Sequence, residues 1–221
     1  MRIAWLIQGN EQWGVRSGSR ALISALKPHG VSCPVVALGP GEFTDECRSL
    51  GLDVTELGLG TPPRMVKSLA RNLGLFVKQV RYERLARRLA AEALSRLDAD
   101  ALHFRRSNLV GIGGPAAHAN GLTSFWHMPN AISDRHPFGI NRRLYQRRCQ
   151  RYGIVPLANS RYTASTLGYA PVRPQVMYLA VDPDRFDPAR IDAVSRQSLG
   201  IGDEAIVVGV LARLHPRKGQ D

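Results

Sequence analysis

Short apolar runs alternate with amphipathic stretches along the whole chain. The runs at residues 3–8, 35–38, 53–57, 100–104, 122–126, 154–158 and 175–179 are rich in Val, Ile, Leu and Ala. Most are closed by Gly, Pro, Asn or His. Such runs predict strands covered on both faces, as in parallel sheets. Helix signals stand between them. Residues 9–18 read as a loop, and Ser19 as the cap of a helix carrying Leu22, Ile23 and Leu26. Further helices are expected at 45–50, 65–97, 114–119, 142–152, 163–167 (capped by Ser160) and 191–199. In the long one, Leu69, Leu73, Phe76 and Val80 form a stripe that Leu85, Leu89 and Ala93 continue, and Gly74 is a candidate break. A last run, 206–211, reads as one more buried strand leading into a basic loop with Arg213 and Lys218.

Strand–helix alternation of this kind implies βαβ units. The expected fold class is α/β: a Rossmann-like parallel sheet with helices on both faces, spanning 1–188. Residues 189–221 are expected to be a linker and the start of a second Rossmann-like domain, including its first strand, with the remainder missing.

Composition narrows the function classes. The 221 residues are 44% hydrophobic and 22% charged, which is globular, and the net charge of +12 points to an anionic partner. Arg64, Lys67, Arg71, Lys78, Arg81, Arg84, Arg87, Arg88 and Arg96 crowd the long helix. That pattern suits a helix lying on an anionic membrane face, or one covering a sheet with a solvated outer side. No run reaches the roughly 20 apolar residues of a membrane span. The start of the chain lacks a small-residue cleavage site and reads as a strand, not a signal peptide. Cys33, Cys47 and Cys149 are too far apart for metal-ligand spacing and read as reduced cytosolic thiols.

Several chemistries find no support. There is no GxxxxGK[ST] loop and no GxSxG elbow. Gly111, Gly113 and Ala116 fit GxGxxA, but Pro115 interrupts the stretch and makes a dinucleotide site improbable. His103, His118, His127 and His136 are dispersed, so no metal is expected. No RNA-recognition or zinc-finger signature is present, and no specific nucleic-acid partner is expected. The basic loop is the exception. Two cations beyond the carboxyl end of a strand, with a helix N-terminus expected next, suit phosphate; an ordinary solvated turn is the alternative.

Five segments, in order and spacing, resemble retaining glycosyltransferases of the GT-B fold, family 4 type. They are 100–103; Ser124-Phe125-Trp126-His127; Leu157-Ala158-Asn159-Ser160; Tyr178-Leu179-Ala180-Val181-Asp182, with Arg185-Phe186 and Pro188 after it; and Leu211-Ala212-Arg213-Leu214, followed by Lys218-Gly219. The chain departs from that pattern at Trp13, where the first of two glycines is usual, and at Ala180 and Ala212. The family's Glu-x7-Glu pair is absent. The resemblance implies an amino-terminal acceptor lobe, a nucleotide-diphosphate sugar as donor, and a glycan or lipid-linked acceptor. It implies no metal or other cofactor. It makes His127, Arg213 and Lys218 catalytic candidates, with Arg213, Lys218 and Gly14 at the donor phosphates. Arg16, Arg105 and Arg106 become candidate acceptor contacts. It also implies a cytoplasmic enzyme of cell-envelope polysaccharide synthesis, possible peripheral contact with an anionic membrane, and no activity from these residues alone. A GT-B-shaped sugar epimerase and a non-catalytic basic module for anionic lipid or nucleic acid are the competing expectations.

Overall fold

The computed structural model describes residues 1–60, 62, 69–132, 140–181, 183–184, 186–190, 194–212, 214 and 219. Seven strands form one sheet: β1 (Ile3–Ile7), β2 (Val35–Ala37), β3 (Val54–Glu56), β4 (Ala101–Phe104), β5 (Thr123–Met128), β6 (Ile154–Ala158) and β7 (Gln175–Val176). Their order is β3-β2-β1-β4-β5-β6-β7, and every pair is parallel. The order reverses between β1 and β4, so a crevice opens at their carboxyl ends.

Side chains alternate across the strands. One face carries Trp5, Ile7, Val35 and Ala37, which pack on Ile23 of α1 (Trp13–Leu26) and on Phe43 and Cys47 of α2 (Glu42–Ser49). The other carries Ala4, Leu6, Leu102, Phe104, Trp126 and Met128, covered by α3 (Leu69–Ser95), α4 (Val110–Ala119), α5 (Ile140–Tyr152) and α6 (Arg161–Leu167). Ser160 caps α6, its Oγ accepting from the Thr163 amide at 3.0 Å. All three cysteines are buried and free.

Helix α4 lies close on the sheet because it is built of small residues. A Cβ on Gly113 would come within 2.8 Å of the Phe104 ring and 3.0 Å of Leu6 Cδ2. The GxGxxA glycines therefore serve packing, within a helix. Pro115 sits inside α4 and cannot donate to the Gly111 carbonyl four residues back. Arg87 Nε of α3 donates to that oxygen instead, at 2.5 Å. Glu83 Oε2 accepts from Arg87 and from Arg148 of α5, each at 3.0 Å. The freed carbonyl thus ties three helices together.

Several boundaries differ from expectation. Helix α1 begins at Trp13, and Ser19 lies buried inside it instead of capping it. Gly14 and Gly18 both lie within it, and a Cβ on Gly18 would come within 2.5 Å of the Arg105 guanidinium. Along α3, which runs unbroken through Gly74, the buried stripe is Ala86, Ala90, Ala93 and Leu94, whereas Phe76 and Leu85 are exposed. Small residues on that stripe let α3 approach α4. Strand β5 runs on to Met128 and takes in His127.

The chain divides into two compact units, Met1–Leu179 and Ala180–Asp221. In the second, the described part of 191–199 is a 3-10 turn, Gln197–Leu199. Residues 206–211 form no strand; Ile206 and Val208 are 93% and 88% exposed. A valine-rich strand needs flanking strands, and the described residues of this unit provide none. Arg213 and Lys218 lie outside the described residues, so the basic loop expected at 213–218 has no geometry here.

Candidate functional site

The carboxyl ends of β1, β4 and β5 assemble the site. Strand register pairs Trp5 with His103 and His103 with Phe125. Two residues further along, Arg105 and His127 reach the same side of the sheet, the side covered by α1. The ring centroids of Trp5 and His103 are 4.1 Å apart, and those of His103 and His127 are 5.8 Å apart in an edge-on arrangement. All three polar groups are buried: His103 and Arg105 are 5% exposed and His127 2%.

Among the described residues, both ring nitrogens of His103 and of His127, and Arg105 Nε, are buried without a hydrogen-bond partner. Burial first, then the charges of His127 and Arg105, push His103 down to about 3. Burial and Arg105 take His127 down to about 4. Both imidazoles are neutral at pH 7, and each offers one donor and one acceptor. Burial also lowers the Arg105 pKa, yet a guanidinium keeps its proton in proteins. The carboxyl ends of β4 and β5 therefore bring one cation together with two neutral donor–acceptor rings.

The turn after β1 is already occupied. Glu11, buried, accepts from the Gln8 amide at 2.6 Å and from the Gly9 amide at 2.9 Å. In a Rossmann-like sheet these are amides that would face a phosphate; here the chain's own carboxylate takes them. Gly9 is fixed by strain and crowding. Its φ is +104°, and a Cβ would meet the Gly39 carbonyl oxygen at 2.1 Å. Trp13, at the start of α1, has φ +53° and is 65% exposed. A tryptophan in that region is strained, and such strain gathers at functional sites.

Gly14, Arg106 and Arg16 make no hydrogen bond or ion pair to the trio among the described residues. Gly14 faces open space, with no atom within 4 Å of a Cβ built on it. Arg106 is half-buried at the start of a short 3-10 turn. Arg16 points to α2: its Nε and Nη1 donate to Glu46 at 2.5 Å and Glu42 at 2.7 Å. That pairing makes Arg16 a strut between helices. A cavity of about 650 Å³, lined by Ile23, Lys27, Cys33, Leu52 and Asp53, opens elsewhere, at the amino ends of the strands. Ligands of open α/β sheets bind at the opposite ends.

Comparison with solved structures identifies the architecture. HepE of Anabaena, solved in complex with UDP, superposes with a TM-score of 0.67 at 21% identity, over 100% of this chain and 55% of that one. The fold is a Rossmann-like lobe of the GT-B kind. MurG of Acinetobacter baumannii matches 80% of this chain and 44% of its own, with a TM-score of 0.53 and 16% identity. The UDP-N-acetylglucosamine 2-epimerase of Rickettsia bellii matches 91% and 52%, again at 0.53 and 16%. The chain spans about half the length of the solved structures it matches. No family model matches the sequence, and no curated protein matches it.

Glu11 was not signalled by sequence, and Trp13 was marked only as standing where a glycine is usual, without its strained backbone. The signal for Glu11 would be a carboxylate placed just after a strand whose last amides need an acceptor. His103 was legible as part of a strand, but its lack of partners was not.

Proposed function

We propose that this chain is the acceptor-side lobe of a nucleotide-sugar-dependent glycosyltransferase. The observation that carries the reading is the unpartnered trio His103, Arg105 and His127 at the switch point of a GT-B lobe. The five sequence segments refine it to the family 4 type, transferring a hexose with retention to a glycan or lipid-linked acceptor in the cytoplasm. In that reading Arg213, Lys218 and the Gly14 backbone are the groups that take up the charge developing on the departing diphosphate. Removing one such donor typically costs about 100-fold or more in rate. Neutral His127 orients a sugar hydroxyl, and Arg105 and Arg106 face the acceptor. No metal is needed for this charge balance.

The test is transfer from UDP-, GDP- and ADP-sugars by the full gene product. Anomeric configuration would be read by NMR and the dependence on His127 by His127→Ala. Wild-type rates in that variant would remove His127 from the chemistry. The 221-residue chain alone is expected to give no turnover; measurable transfer would overturn that assignment.

One observation favours a peripheral membrane contact as well. Lys78, Arg81, Arg84 and Arg88 line the outer side of α3, and Arg142, Arg143 and Arg147 lie on α5. All are exposed, and none forms an ion pair among the described residues. Phe76, Val77, Leu85, Ile140 and Leu144 are exposed beside them. Cations mixed with apolar side chains suit anionic lipid better than nucleic acid. Sedimentation with vesicles tests this. Pelleting that ignores lipid charge rejects it, and salt-sensitive DNA binding without it favours the basic-module alternative.

A further inference from the structure

A buried cation without an anion is costly to keep. Isolated charges lose several kcal/mol of solvation on burial and are normally paired. Arg105 is 5% exposed, its Nε has no acceptor, and desolvation is the sole influence resolved on it. The surrounding polar groups are no substitute. His103 and His127 are themselves unpartnered. Glu11, the buried carboxylate after β1, spends its hydrogen bonds on the Gln8 and Gly9 amides and forms no ion pair with Arg105. Gly18 has no side chain where the guanidinium lies. Among the described residues no carboxylate pairs with this cation at the carboxyl end of β4.

We propose that Arg105 seats an oxyanion, a phosphate or carboxylate, carried by the acceptor, with His127 and His103 as neutral hydrogen-bonding neighbours. The proposal rests on the transferase reading for the word acceptor, and on geometry alone for the anion. A guanidinium matches such groups through two parallel N–H bonds. Because the amides after β1 are taken by Glu11, an entering anion finds its cation at β4 instead. The donor diphosphate is the other source of the same chemistry, so the experiment separates the two.

The 221-residue chain, wild type and Arg105→Met, would be titrated with inorganic phosphate, with glucuronate and with UDP at fixed ionic strength, and followed by thermal shift and by amide NMR. Saturable stabilisation of the wild type by phosphate or glucuronate is expected, with affinity at least about tenfold weaker in the variant. Ligand-free Arg105→Met should be as stable as wild type or more so, since it removes an uncompensated charge at similar volume. An equal response in both proteins, or none in the wild type, overturns the proposal. A response to UDP alone that depends on Arg105 moves the cation to the donor and overturns the acceptor assignment. Failure of Arg105→Met to fold, with Arg105→Lys folding normally, makes the cation structural and equally ends it. UDP binding that is indifferent to Arg105 leaves the transferase reading intact whatever the other arms show.

Discussion

Arg87→Met tests how the helical layer is held. Pro115 leaves the Gly111 carbonyl without its helical donor, and Arg87 Nε supplies one at 2.5 Å. Removing a charged donor from a part-buried acceptor costs about 1.5–3 kcal/mol. The lost Glu83 contact adds a few tenths of a kcal/mol, because Arg148 still holds that carboxylate at 3.0 Å. A total near 2 kcal/mol corresponds to a drop of about 4–8 °C in Tm for a unit of this size. The decisive measurement is a double-mutant cycle in urea with Pro115→Ala. Alanine restores an amide at 115, so Gly111 keeps a donor without Arg87. The cost of Arg87→Met should then fall by at least about 1 kcal/mol, while the Glu83 term cancels between backgrounds. Equal costs on the two backgrounds would show that Arg87 does not replace the amide Pro115 lacks.

Three further outcomes follow from the same geometry. His103 and His127 titrate near 6.5 when unfolded, but at about 3 and about 4 in the fold. The folded protein takes up their protons later than the unfolded chain. Stability is therefore complete above pH 6.5 and is lost as pH falls toward 4, by up to about 1.4 kcal/mol per pH unit for each histidine. Ring proton shifts that titrate near 6.5 in the native state would refute this. Gly9→Ala combines a φ of +104° with a clash at 2.1 Å and should cost about 3 kcal/mol. Because Gly9 oxygen accepts from the Phe43 and Thr44 amides at 3.0 and 3.3 Å, hydrogen exchange at those two positions should accelerate; unchanged protection contradicts the argument. Ser160→Ala should cost about 1 kcal/mol in a urea melt, and no loss would mean the cap is idle.

The strand pattern was legible because a strand covered on both faces must be apolar throughout: six of the sheet strands lie within their expected runs, and β5 overlaps its run and continues to Met128. What escaped was carried by residues with little hydropathy. The alanines at 86, 90 and 93 bury α3 in the core it shares with α4, yet Phe76 and Leu85 dominate any periodic reading and end up exposed. The run at 206–211 shows the converse: its composition is that of a buried strand, but composition cannot supply the neighbours a strand pairs with. The site divides along the same line. His127 and Arg105 were named from segments that end strands, and they meet because register sets them on one side of adjacent strands. The absence of a counter-ion at Arg105 is a property of everything around it, which no local window holds. Trp13 completes the point from the backbone. It stands where the resembled family has glycine, and it takes φ +53°, a value glycine adopts freely. The side chain departs from the pattern while the backbone takes a conformation that is free for glycine and costly for tryptophan, so what holds this turn lies in its surroundings and not in the local propensity of residue 13.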